Sequence, residues 1–175
     1  MRFHVYLAAA AATLSVATPA FAQAITDSAQ AQARGRVLST HSLVNSAPLD
    51  FGTVAASPVA GTVTVSAAPL STRGNSGGVT LVPSTFGAAR FDGLAAPSET
   101  VVLTLTPSTS GGLTMVDAAS GASITGSLVL DSGGLTRTAD SAGNFVVYVG
   151  GSFNIGANQS NGYYTGNFDL TAEYQ

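Results

Sequence analysis

The chain has 175 residues, of which only 9% are charged; its net charge is −3, and it contains no cysteine, tryptophan or lysine. That length suits one ordinary domain with a real core, and the lack of cysteine rules out disulfides and thiol chemistry. The sparse, slightly acidic charge argues against phosphate-backbone binding, so no nucleic-acid partner is expected, while the Val, Leu and Phe content argues against a disordered chain.

Arg2 and His4 make a short basic start, Val5 to Ala17 is nearly all small or apolar, and Ala20 and Ala22 form the small pair of Pro19-Ala20-Phe21-Ala22. This pattern predicts a secretory signal peptide over 1–22, cleaved after Ala22. The implied destination is the periplasm, then the cell surface or the medium. The apolar run is too short and alanine-rich to span ~30 Å of hydrocarbon, so no transmembrane segment is expected after cleavage.

Residues 23–36 form an extension without large core residues. Its odd positions are Ile25, Asp27, Ala29, Ala31, Ala33 and Gly35, and its even positions include Ser28, Gln30, Gln32 and Arg34. Three readings stay open: a frayed tail, a short helix from Asp27 to Ala33, or an alternating ribbon whose small side slots between two strands.

From Val37 onward, period-two runs recur between Gly, Pro, Asn and Ser clusters. Strands are expected at Val37–Val44 (with His41 in mid-strand), Thr62–Val65, Val79–Val82 and Thr100–Thr106. Ser123–Asp131 and Leu135–Thr138 flank Ser132-Gly133-Gly134, a tight hairpin signal. Phe145, Val147 and Val149 share one face, with Phe153 and Ile155 continuing the series. The pairs Gly133–Gly134 and Gly150–Gly151 read as turn or bulge positions. Short strands at this spacing predict an all-β sandwich or barrel over 37–175.

The last stretch is the most informative. Gly162, Tyr164, Gly166, Phe168, Leu170, Ala172 and Tyr174 occupy the even positions, with polar residues such as Thr165, Asn167, Asp169, Thr171 and Glu173 between them. Side chains alternate across a strand, which predicts one long ribbon with an apolar and a polar face.

Candidate chemistry is thin. After cleavage His41 is the single histidine, with hydroxyls but no acid nearby in sequence, and no G-x-S-x-G elbow is present, so no catalytic residue and no enzyme are expected. Zinc lacks its ligands. Asp117, Asp131 and Asp140 sit beside Gly and Ser in turns, where aspartate normally bonds its own backbone rather than calcium. No cofactor or metal is expected. Tyr163 and Tyr148 are the candidates for any sugar-stacking surface.

Asp50-Phe51-Gly52-Thr53-Val54, the run Phe145–Gly151 and the ending G-Y-Y-T-G-N-F-D-L-T-A-E-Y-Q resemble a secreted bacterial family, domain of unknown function 4402. The ending also resembles the pilin-like spore coat protein U family. It is similar too to chaperone–usher pilins, with a glycine fourteen residues from the end (Gly162) and a penultimate tyrosine (Tyr174). The resemblance implies an immunoglobulin-like, pilin-like β-sandwich that lacks a strand. Its partners would be copies of itself or related subunits, with a periplasmic chaperone and an outer-membrane usher. Gly162, Tyr164, Phe168, Leu170, Ala172 and Tyr174 would form the assembly edge, the Gln175 carboxylate would dock on the chaperone, and Ile25, Ala29, Ala31, Ala33 and Gly35 would form the donor strand. Unlike the commonest pilins, this chain has no disulfide, and its donor face is made of small residues. The function expected is a structural subunit of a surface filament or coat; a monomeric module that binds glycans or envelope polymers is the alternative.

Overall fold

The computed structural model describes residues 32–107 and 112–175. The expected signal peptide, together with Ile25, Ala29, Ala31 and most of the helix considered from Asp27, lies outside the described residues. Ala33 and Gly35 belong to an exposed irregular segment, where Arg34 donates to the Gln32 side chain (2.9 Å). It falls in a contact unit separate from Val37–Gln175.

Among the described residues the chain is all-β, with no helix and every strand pair antiparallel. β1 (Ser42–Ala47), β6 (Ala89–Leu94), β11 (Asn144–Ile155), β9 (Ser123–Leu130), β8 (Leu113–Asp117) and β12 (Tyr164–Thr165) follow one another across the main sheet. β3 (Gly61–Val65) also pairs with β11, and β4 (Arg73–Gly77) pairs with β3. A second sheet has the order β10 (Thr136–Thr138), β7 (Thr100–Thr106), β13 (Asp169–Tyr174). β2 (Val54–Ala55) and β5 (Thr80–Leu81) form a two-stranded ribbon.

β11 is the spine of the main sheet. Phe145, Val147, Val149, Phe153 and Ile155 are all buried, as alternation requires. Gly150 and Gly151 sit inside this strand rather than in the expected turn or bulge. There β11 changes neighbour from β6 to β3 while β9 holds its other side. A Cβ on Gly150 would strike the backbone at Val65 and Ala67, and one on Gly151 the backbone of Ser127. The glycines therefore serve close backbone approach without leaving the strand.

Both sheets contribute to one apolar core: Val63, Val65, Val147 and Val149 come from the main sheet, and Val101, Leu103, Leu105, Leu170 and Ala172 from the second. At ~1.5–3 kcal/mol for each fully buried large side chain, such contacts outweigh local propensity in deciding which strands meet.

Three further expectations are corrected. The first strand starts at Ser42, not Val37: its ladder opens at Ser42↔Leu94, Val37 is 97% exposed, and His41 precedes the strand. The turn after Leu130 is as tight as its glycines suggested, with Gly134 at φ +69° and its N–H bonded to the Asp131 carbonyl. It joins no hairpin, however, because β9 stays in the main sheet while β10 pairs with β7. Where β9 leaves β11, side chains replace the ladder. An Asp131 carboxylate oxygen accepts from the Tyr148 N–H (2.9 Å), and Arg137 ion-pairs with Asp131 while its Nε reaches the Val146 carbonyl (3.4 Å). Edge groups of a central strand must find partners, and this pair supplies them. The long C-terminal ribbon is also broken, for β12 pairs with β8 and β13 pairs with β7, in different sheets.

Candidate assembly groove

The alternation that marked the C-terminus holds on both sides of its break. Leu170 and Ala172 are buried in the core, while Tyr164, Phe168 and Tyr174 are half-buried and pack against it. Gly166 bridges the two short strands in close contact with β8: a Cβ there would come 2.5 Å from the Thr114 carbonyl oxygen and 2.9 Å from Met115. The chain crosses from one sheet to the other at this point. Phe168 then meets Phe91 edge to face, centroids 6.0 Å apart.

Gly162 and Tyr174 acquire separate physical roles. A Cβ on Gly162 would come within 2.5 Å of the Asp117 carboxyl carbon. A side chain here would press on that buried carboxylate and force it or the 159–165 segment to shift. Asp117, at the end of β8, is 5% exposed and the sole buried charged residue among those described. It accepts from the Ser120 hydroxyl (2.6 Å), the Ser120 N–H (3.0 Å) and the Tyr163 N–H (3.2 Å). These bonds, the Ser120 hydroxyl foremost, hold its carboxyl below the ordinary value despite burial. At the far end of β13, the Tyr174 hydroxyl donates to the Ser39 carbonyl and accepts from the Ala96 N–H, and its ring meets His41 edge to face. Gln175 is exposed, with its N–H on the Thr100 carbonyl (3.3 Å).

Beside the start of β13 lies a groove of about 650 Å³. One bank is the segment 159–168. Here the Tyr164 hydroxyl donates to the Ser160 carbonyl and accepts from the Gln159 amide, and Tyr163 is 91% exposed. The other bank is the segment 49–56 with Ser84 and Thr85. Core residues Leu113, Met115, Ile124, Phe153 and Ile155 reach the groove from the main sheet, yet each is only 4–7% exposed.

The second bank is tied down by Arg73 of β4, which sequence reading did not single out. Its guanidinium donates to the carbonyls of Phe51 (3.0 Å), Thr53 (3.3 Å) and Val82 (2.7 Å), and lies 4.9 Å from the Phe86 ring centroid. A Cβ on Gly52, at φ +71°, would collide with it. Phe51 packs edge to face on Phe153 at 4.7 Å. An arginine in a polar edge strand carries no local sign of such a role; Asp117-x-x-Ser120-Gly121 did signal a turn, though not the reach to Tyr163.

Among the described residues β2 has β5 as its sole ladder partner, and β13 has β7 as its own. Each strand is therefore bonded along one edge only. Tyr148 does not line the groove with Tyr163; it lines a separate shallow depression with Arg90 and Phe86. Asp140 caps its own turn through the N–H groups of Ala142 and Asn144 (both 2.8 Å). No group of three potential metal ligands occurs among the described residues, and no helix there is long and apolar enough to cross a membrane.

Residues 41–174 match the profile of a protein family described as domain of unknown function (DUF4402). No curated protein and no solved structure matches the chain.

Proposed function

The chain belongs to the DUF4402 family, and we propose that it is an exported structural subunit of a bacterial surface filament or coat. In this reading the signal peptide is removed after Ala22. The domain is an immunoglobulin-like, pilin-like sandwich whose second sheet is one strand short, and subunits join by β-strand addition. The periplasmic chaperone and usher implied by the resemblance would serve that assembly.

One observation carries the reading. Two strands bonded along a single edge, β13 and β2, lie next to a groove whose lining includes Gly166, Phe168 and Val54 and whose floor is core. An added strand would satisfy free backbone groups, each hydrogen bond contributing ~0.5–1.5 kcal/mol net. It would also cover apolar surface along the groove. A head-to-tail contact of this kind does not close on itself, so it propagates into a fibre. The test is the assembly state of the processed chain with and without residues 23–36. Fibres that vanish on truncation support donation by that segment; monomers in both preparations overturn it.

A second reading is favoured by a different observation: the groove floor is already nearly closed, while its rim carries Gln159, Ser160, Asn161, Thr53 and the exposed Tyr163. Hydroxyls, amides and an aromatic face are the chemistry of a glycan or envelope-polymer site. That module would bind oligosaccharide saturably as a monomer, with quenching of tyrosine fluorescence.

A further inference from the structure

From residue 144 to residue 148, β11 has a strand on one side only among the described residues. β6 holds that side, and β9 joins the other from Val149 onward. Alternate residues of a paired strand turn their N–H and C=O groups to opposite edges, and here Asn144, Val146 and Tyr148 face the side without a strand. Their partners come from one short segment. Asp140 takes the Asn144 N–H on its carboxylate (2.8 Å) and gives its own N–H to the Asn144 carbonyl (2.9 Å). Asp131 does the same for Tyr148, at 2.9 and 3.0 Å. Arg137 Nε donates to the Val146 carbonyl (3.4 Å). β10 is itself an edge strand, and Arg137 stands opposite the fully buried Val101, so its side chain leaves the strand on the core-facing side. There its guanidinium also pairs with Asp131 and donates to the carbonyls of Gly134 (2.9 Å) and Thr136 (2.7 Å), and the side chain is only 11% exposed.

The edge covered in this way belongs to an uncharged run, Asn144-Phe145-Val146-Val147-Tyr148-Val149, with no proline or glycine. Short runs of β-branched and aromatic residues without charge pair readily with identical runs in other molecules, and an open sheet edge is the template for it. Inward-pointing charges are among the devices by which proteins close such edges. We infer that Asp131, Arg137 and Asp140 form an edge guard, which closes the 144–148 edge of β11 to the same edge of a second copy. Antiparallel pairing of two such edges would set Asn144 against Tyr148 and Val146 against its own counterpart. That contact is isologous and ends at a dimer. The guard is separate from the filament reading, in which strands add at β13 and β2 and make fibres.

The test uses the full processed chain carrying Asp131→Asn and Arg137→Leu together, so that neither charge is left shielded alone. Sedimentation velocity over a concentration series reads association, and hydrogen exchange reads the Tyr148 amide. The double variant should dimerise about tenfold or more tightly than the parent, as a few new ladder hydrogen bonds allow. Its Tyr148 amide should exchange faster than the parent's when dilute and become protected as concentration rises. Adding Val146→Lys, at a position 36% exposed, sets two like charges opposite each other across the pair and should abolish the dimer. If the double variant does not fold, Arg137→Lys decides in its place. Lysine keeps the charge beside Asp131 but lacks the planar fork that reaches the turn carbonyls and Val146, so this variant too should dimerise more tightly than the parent. The inference is overturned if the variant associates like the parent at every concentration while Tyr148 exchange merely quickens, or if Val146→Lys leaves the dimer intact.

Discussion

The hydroxyl of Tyr174 donates to the carbonyl of Ser39 at 2.8 Å, linking the last strand to the segment that leads into the first, 135 residues away. The same oxygen accepts from the Ala96 N–H at 2.8 Å. One phenol thus joins three parts of the domain: its entrance, the turn between β6 and β7, and its final strand. Tyr174→Phe keeps the ring against His41 but leaves the Ala96 donor and the Ser39 acceptor without it. A loss of about 1–3 kcal/mol is expected, measured as a lower urea midpoint with an unchanged slope.

Gly162→Ala places a methyl group against the Asp117 carboxylate. Overpacking of this kind costs about 1–3 kcal/mol, and the 159–165 bank must shift to relieve it. Gly74→Ala provides the contrast, because nothing lies within 4 Å of a Cβ there. Its melting temperature should match or slightly exceed the parent's, through the smaller entropy of the unfolded chain.

Arg137→Leu leaves Asp131 shielded without its cation and removes the donor near Val146. Breaking a largely buried pair on one side costs about 3–5 kcal/mol. Hydrogen exchange should then quicken at Tyr148 and its neighbours in β11 before the rest of the core opens, since the pair stands in for a missing strand there.

Acid sensitivity follows from three carboxylates held below their ordinary value of 3.8: Asp92 chiefly by the Ser46 hydroxyl and then Arg90, Asp117 by the Ser120 hydroxyl, and Asp140 by the Asn144 N–H. A group whose folded pKa is depressed stabilises the fold above its unfolded value, and that contribution is lost as pH falls through the folded one. Melting temperature should therefore decline as pH drops below 3.8. Asp117→Asn should melt lower at neutral pH and show a shallower acid decline.

The alternating residues of the sequence determined which side of most strands faces the core. Val63 and Val65, Val101, Leu103 and Leu105, Phe145, Val147 and Val149, Leu170 and Ala172 are all buried as their period-two spacing required. The turn roles of Asp117, Asp131 and Asp140 were legible for a similar reason, because an aspartate bonds backbone only a few residues away. What alternation cannot express is the neighbour. Period two is the same whether a strand pairs with the next segment or with one a hundred residues off. Only the tertiary structure decided that β9 and β10 part company across a tight turn, that Gly166 carries the C-terminal ribbon from one sheet into the other, and that Arg73 and Asp117 secure opposite banks of one groove. Those outcomes depend on long-range burial and on side chains that replace absent ladder bonds, energies that exist only once distant segments are in contact.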